Sequence, residues 1–321
     1  MIKLKNLELK TRIIQSPMAG CTDLAFRVLA REHGMEFAFL EMVSSESLVR
    51  KNDKTFRLMK SVESDKPLGA QIVGCNPEIM GEATQIVEEM GFDLIDINIG
   101  CPVPKITGPG GGSALLKEPK TAKQVISSVV KNANNIPVTV KMRKGYTDDS
   151  GSEAVTIAKI AEDAGASAVT VHGRTRAQGY TGFADWEAIG KVKKAVSIPV
   201  FGNGDVNCGD DAKKLIEISG CDGVMVGRGA LGNPWLYKSI ENVLNGKAAT
   251  DNPTLKEQKA AALKHLELEV QYEGEKIGIL KSRRIICWYF KTQPGISQFR
   301  GKINKATKTE EVRELIKNFG E

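Results

Sequence analysis

The side chains best placed to do chemistry in this 321-residue chain are polar groups that follow short apolar runs. Cys101 leads them, in Asn98-Ile99-Gly100-Cys101-Pro102, directly after Leu94-Ile95-Asp96-Ile97. Gly100 permits close backbone approach and Pro102 fixes the turn, so the thiol would be held at a set angle beyond a strand end. Aimed there, a thiol is a compact proton donor that titrates near neutrality. Turned inward, it is only a small hydrophobe.

Other run ends carry matching chemistry. Ser16-Pro17-Met18-Ala19-Gly20, Glu41 and Gln71 come first. Lys141 then stands two residues before Arg143, and His172 precedes Arg174 and Arg176. Asn203-Gly204-Asp205 and Gly227-Arg228-Gly229 complete the set. A lysine such as Lys141 is a solvated charge, a Schiff-base former, or a cation that neutralises a ring gaining negative charge. His172 is a satisfied strand-end histidine or a donor to a phosphate or ring carbonyl. Two arginines after His172 favour an anionic ligand. Gly227-Arg228-Gly229-Ala230-Leu231-Gly232 satisfies G-x-G-x-x-G, but it comes too late in the chain for a dinucleotide fold and lacks the acidic residue about 20 positions on. It suits a phosphate site after the last strands of a parallel barrel, with Arg228 adding a charged contact.

These residues need elements to hold them. β-branched runs recur at 12–16, 37–41, 68–73, 94–98, 138–142, 168–172, 200–202 and 223–226, apolar on both faces. Helical patterns lie between them, at 77–90, 119–133, 152–164, 186–195 and 209–219. Strands alternating with helices predict an α/β fold, a (β/α)8 TIM barrel over residues 1–246, with a doubly wound sheet as the alternative. In a parallel barrel, chemistry collects at the carboxyl ends of the strands. After Asn252-Pro253 the periodicity is helical at 255–273, 277–290 and 309–319, which predicts a small all-α domain over residues 247–321.

Composition narrows the classes. Apolar residues are 41% and charged residues 26%, an ordinary globular balance. No apolar run reaches the roughly 20 residues of a membrane helix, and the amino end lacks a signal-type apolar stretch, so a cytoplasmic location is expected. Six scattered cysteines without a C-x-x-C pair, and histidines only at 33, 172 and 265, predict no metal site. Of the net charge of +6, most sits late in the chain: residues 247–321 hold 15 Lys and Arg against 10 Asp and Glu, leaving 30 against 29 before them. That asymmetry suits a nucleic-acid partner.

Assembled, these pieces resemble the tRNA-dihydrouridine synthase family, its bacterial B-type members most closely. The matching residues are Pro17-Met18-Ala19-Gly20 with Thr22-Asp23 and Phe26-Arg27, Gln71–Gly74, Asp96–Pro102 with Lys105, and Val140–Arg143. His172–Arg176 with Gln178, Tyr180, Gly182 and Ala184-Asp185-Trp186 is the most specific stretch, followed by Asn203–Asp205 and Gly227–Ala230. Cys21, Ser113 and Ile286-Cys287 depart from the pattern. The resemblance implies a monomeric FMN-bound barrel that uses NADPH or NADH to reduce the C5=C6 bond of uridine in the tRNA D-loop. It implies that Pro17, Met18, Ala19, Gln71, Lys141, His172, Asn203, Gly204, Asp205, Gly227 and Arg228 hold FMN, with Cys101 as proton donor. Asn98, Arg143, Arg176 and Gln178 are the expected contacts to the base and nearby phosphate. Arg283, Arg284 and Lys291 are the expected tRNA platform, and the loop Gly108–Gly112 is expected to act as a mobile cover.

Other readings remain open on the residues alone. A barrel acting on a free pyrimidine, of the dihydroorotate dehydrogenase kind, explains Cys101 but not the basic carboxyl quarter. A Schiff-base aldolase on Lys141 needs no flavin. A non-enzymatic RNA-binding module leaves the polar strand ends without a purpose.

Overall fold

The computed structural model describes residues 1–320. An antiparallel hairpin, β1 (Ile2–Leu4) and β2 (Leu7–Leu9), precedes the main sheet. The sheet contains β3 (Ile13–Gln15), β4 (Ala38–Phe39), β5 (Val43–Ser44), β6 (Leu68–Val73) and β7 (Leu94–Ile99). It continues with β8 (Val138–Gly145), β9 (Ala168–Thr175), β10 (Val200–Asn203) and β11 (Gly223–Val226). Neighbours pair in parallel in the order β3-β11-β10-β9-β8-β7-β6-β4, with β5 also on β6. Gln15 closes the remaining gap: its N–H donates to the Phe37 carbonyl at 3.0 Å, and its Oε1 accepts the Phe39 N–H at 2.8 Å. The result is the (β/α)8 barrel that the alternation predicts, followed by an all-α region.

Two differences from the sequence reading bear on the site. Of the expected strand over 37–41 only β4 forms, and β5 follows beyond it, with buried Glu41 between the two accepting the Gly20 N–H at 2.8 Å. The strand bodies are also not apolar on both faces. In β7, Ile95, Ile97 and Ile99 pack outward against the helices, so alternation sends Leu94, Asp96 and Asn98 into the barrel. By the same rule Thr139, Lys141 and Arg143 of β8 and Thr170, His172 and Arg174 of β9 face inward. Both strands run further than expected, because polar residues on a face that opens to a cavity do not end a ladder.

The amino end of the barrel is filled instead. Leu4 and Leu9 of the hairpin join Phe37, Phe39, Leu94, Phe201 and Met225 in one apolar plug, each such side chain contributing about 1.5–3 kcal/mol on burial. Helices cover the outside with local punctuation that the sequence carries. Asn76 caps the helix Pro77–Glu89, its Oδ1 accepting the Glu78 N–H at 2.9 Å, and Pro77 sits in the first turn.

Beyond the barrel, helices Leu255–Glu273, Glu275–Tyr289, Ile296–Ile303 and Thr309–Lys317 enclose a core of their own. Phe290 stacks on Phe319 at 4.4 Å, with Phe299 edge-on to both. Ala25, Val28 and Leu29 of the barrel helix Leu24–Glu32 pack into this core. The helix Ile296–Ile303 has no counterpart in the periodicity, since Gly301 and two charges interrupt its eight residues. No helix among the described residues is long and apolar enough to cross a membrane.

Candidate active site

A cavity of about 720 Å³ opens at the carboxyl ends of the strands, within the range of small-molecule sites. Every residue expected to hold a cofactor lines it, from Pro17, Met18 and Ala19 to Gly227 and Arg228. Cys101, Asn98, Arg143 and Lys291 line it too. Two surface hollows elsewhere contain none of this set.

Cys101 is fixed through its backbone. Asn98 Oδ1 accepts the N–H groups of Gly100 at 3.0 Å and Cys101 at 2.8 Å, so Asn98 shapes the turn that carries the thiol. Asn98 Nδ2 donates to Gln71 Oε1 at 2.7 Å, and Gln71 Nε2 donates to Asp96 Oδ2 at 2.6 Å. Thr139 Oγ1 donates to the other Asp96 oxygen at 2.6 Å. Behind the thiol, Ser113 donates to the Cys101 carbonyl from both N and Oγ at 3.0 Å. Gly112 has φ +57, and a Cβ there would lie 2.8 Å from the Cys101 carbonyl oxygen. Gly112, at the far end of the glycine-rich loop, is thus packed against the turn that carries Cys101, whereas Gly108 and Pro109 of the same loop are exposed.

Cations gather on the neighbouring strand β8 and after β11. Lys141 Nζ donates to Asn203 Oδ1 at 3.3 Å, and Asn203 Nδ2 is anchored on the Met225 carbonyl at 2.7 Å. Burial and the charge of Arg143 bring Lys141 down to about 8, against the pull of Asp96. His172 falls well below its ordinary value, through burial first and then through Lys141, Arg143, Arg174 and Arg228, so its imidazole is neutral. Arg174 Nη1 lies 3.4 Å from His172 Nε2. Arginine only donates, so Nε2 accepts and Nδ1 carries the proton.

Several of the expected contact residues also bond within the loops. Arg143 Nε donates to the Gly100 carbonyl at 3.0 Å, and its Nη1 to the carbonyls of Thr175 and Gly179 at 2.8 Å, tying the Cys101 turn to the β9 loop. Asp205 pairs with Arg174 at 2.8 Å and with Arg228 at 3.8 Å. Gln178 spends its amide on the carbonyls of Thr181 and Phe183, both at 3.0 Å, and lies outside the cavity. Arg176 is also outside, over the Tyr146 ring at 5.1 Å. Of the expected platform, Arg283 donates to the Ala306 carbonyl at 2.8 Å within the helical region. Arg284 crosses to the Gly20 carbonyl beside the mouth and stacks near Trp288.

Three residues of this constellation escaped the reading of the sequence as site residues. Asp96 is fully buried and raised to about 6, by burial against the opposing hydrogen bonds of Gln71 and Thr139. A charged residue inside an apolar run was its signal. Thr139 had none beyond its alternation. Tyr180 is 59% exposed over the mouth, with Arg228 at 4.3 Å and Arg143 at 5.6 Å from its ring. Its partners come from other strands, which no local pattern shows.

A second polar cluster lies on the barrel–helical seam. Ligand-type atoms of Asp23, His265 and Glu269 come within 4.8 Å of one another, although the histidines are dispersed along the chain. Lys281 Nζ supplies the positive charge there, 2.8 Å from Asp23 and 3.6 Å from Glu269.

The donor set decides what the mouth can accept. Lys141, Arg143, Arg228 and Lys291 outnumber Asp205 among its charged groups, and Gly227 leaves backbone uncovered beside Met18. That combination fits a polar ring bearing a phosphate. A family model described as dihydrouridine synthase matches residues 14–320. The chain belongs to the dihydrouridine synthase family. It is 40% identical to a Rickettsia conorii protein named "Probable tRNA-dihydrouridine synthase", over 99% of this chain and 96% of that one. It is 39% identical to the Pseudomonas aeruginosa "tRNA-dihydrouridine synthase B", over 99% and 96%. Among solved structures it is similar to morphinone reductase, with a TM-score of 0.57 over 78% of this chain and 90% of that one. At 12% identity this likeness shows the barrel fold. Family membership makes the chain an oxidoreductase.

Proposed function

We propose that this protein is a tRNA-dihydrouridine synthase that binds FMN and draws on NADPH or NADH to reduce the C5=C6 bond of a D-loop uridine. One observation carries the reading: a single cavity gathers all the expected flavin-holding residues and sets Cys101 on its wall. FMN, when bound, supplies the hydride that goes to C6 of the uracil ring. The chain's own residues do the rest. Lys141, anchored on Asn203, provides positive charge beside the ring system, where negative charge accumulates on reduction. His172 offers its Nδ1–H as a neutral donor. Gly227 and Arg228 take the phosphate. Cys101 delivers the Sγ proton to C5, because its backbone is clamped on both sides and its side chain faces the cavity.

The uridine lies in folded RNA and must be turned out to reach this depth. Residues 247–321 are the proposed docking region, with Arg284 and Lys291 at the mouth and Arg283 further back. Contacts there would fall mainly on phosphates and weaken steeply with salt. One copy of the chain carries every group named, which supports a monomer. The test is purification followed by turnover on unmodified tRNA. A yellow protein that forms dihydrouridine in tRNA and leaves orotate and free uracil untouched is the expected result. Turnover of free pyrimidines in place of tRNA would overturn it.

A further inference from the structure

We propose that Asp96 is a positioning residue for this reaction, acting through two neighbours: its buried carboxylate anchors the amide chain behind Cys101 and supplies the counter-charge to Lys141. The inference rests on the function proposed above and deepens it.

The first half follows from donor bookkeeping. Both Asp96 oxygens accept, from Thr139 Oγ1 and Gln71 Nε2, each at 2.6 Å. A carboxylate can only accept, so Gln71 must present its NH2 group downward and its carbonyl upward. That carbonyl takes Asn98 Nδ2 at 2.7 Å, which leaves Asn98 Oδ1 to receive the N–H groups of Gly100 and Cys101. The sense of every bond from the barrel interior to the thiol's own amide is therefore set at its buried end. Asp96 touches neither the thiol nor the cavity, and position 96 must hold an acceptor for the chain to stand.

The second half is electrostatic. Asn98 pairs in register with Lys141 across β7 and β8, which puts Asp96 one inward step below that lysine. The titratable or charged groups that face Lys141 are Asp96 from β7, Arg143 from its own strand and His172 from β9. Arg143 opposes protonation of the lysine and His172 is neutral, so Asp96 is the group that favours it. Burial drives Lys141 the other way, down to about 8. Removing the Asp96 charge must lower it further. The lysine would then lose its proton, and its attraction for an anionic ring, at lower pH.

Asp96→Asn and Asp96→Ala separate the two halves. Asn keeps an acceptor for Gln71 and drops only the charge, whereas Ala drops both. Two readouts do not depend on turnover. One is FMN affinity as a function of pH. The other is the alkylation rate of Cys101 by iodoacetamide in flavin-free protein, read on the Cys101 peptide by mass spectrometry. Asp96→Asn is expected to alkylate within about two-fold of the parent, while the pH at which FMN binding weakens falls by about one unit. Asp96→Ala is expected to show that fall together with a several-fold change in alkylation and at least a ten-fold loss of kcat on tRNA. Should Asp96→Ala not fold, Thr139→Val removes one donor from the carboxylate, favours its protonation, and is expected to move the FMN pH limb the same way by a smaller amount. An unmoved limb in Asp96→Asn would overturn the counter-charge role. Parent-like alkylation in Asp96→Ala would overturn the anchoring role. Because alkylation needs neither tRNA nor flavin, a failure of the proposed reaction leaves that half of the test readable.

Discussion

At the barrel mouth, Lys141, Arg143, His172 and Arg228 surround a cavity open to solvent. At the seam with the helical region, Asp23, His265, Glu269, Lys281 and Tyr289 pack against one another. Both regions bury polar groups that the fold could have replaced with apolar ones. The mouth commits its backbone-shaping groups fully, so that Asn98, Arg143 and Gln71 are spent on carbonyls, amides and one another. The seam leaves His265 Nε2 and both Glu269 oxygens without a hydrogen-bond partner within usual distance, and offsets them with Lys281. Burial also acts differently. At the mouth it tunes Lys141, which lines the cavity, towards neutrality above the fully buried Asp96. At the seam burial, assisted by the Asp23 charge, raises Glu269 to about 9, which stores a proton between two structural elements. The contrast separates polar groups placed for a ligand from those placed to join two parts of a chain.

The sharpest way to break this contrast is at the thiol. Cys101→Ala should lower dihydrouridine formation on tRNA by about 100-fold or more, the usual weight of a general acid, while flavin binding and thermal stability stay near the parent's. Measured loss of stability in place of activity would move Cys101 from the mouth's class to the seam's. Breaking the seam should do the reverse. Lys281→Met leaves Asp23 and Glu269 without their cation and should cost about 2 kcal/mol in urea unfolding, discounted for the partial exposure of the lysine, with FMN affinity unchanged. Arg228→Ala should weaken FMN by about ten-fold in a fluorescence titration, since it removes one charged contact from a half-exposed position. The smallest effect is a slope. Glu269 binds its proton more tightly folded than unfolded, so its contribution is present at low pH and is lost as pH rises from about 4.5 towards about 9. Glu269→Gln should flatten the decline of the melting temperature between pH 6 and pH 9, and an unchanged decline would place that proton elsewhere.

Much of the mouth was legible because each strand end announces its own residue. Cys101, Lys141, His172, Asn203 and Arg228 follow apolar runs, and a parallel barrel brings such ends to one face whatever lies between them. The three residues not read as site residues fail that description. Asp96 sits inside its run, Thr139 is an ordinary strand residue, and Tyr180 belongs to a loop. Arg176 and Gln178 show what the motif leaves unsaid: the loop sets their side chains against Tyr146 and against neighbouring carbonyls. The glycine run at 108–112 suggests a cover because glycine content records conformational freedom, whereas the packing of Gly112 against Cys101 is set by the fold.

By itself, then, the sequence determined the alternation of strand and helix, the all-α ending, the family and the identity of the strand-end residues. These depend on residue type and spacing along the chain, which short-range physics reads directly. Only the tertiary structure decided that Asp96 stands beneath Lys141, that His265 meets Asp23 across 242 positions of sequence, and that Arg284 reaches Gly20. Such contacts depend on the register of β7 against β8 and on the docking of one element upon another. They are fixed by the burial of whole faces, and no local run of residues encodes them.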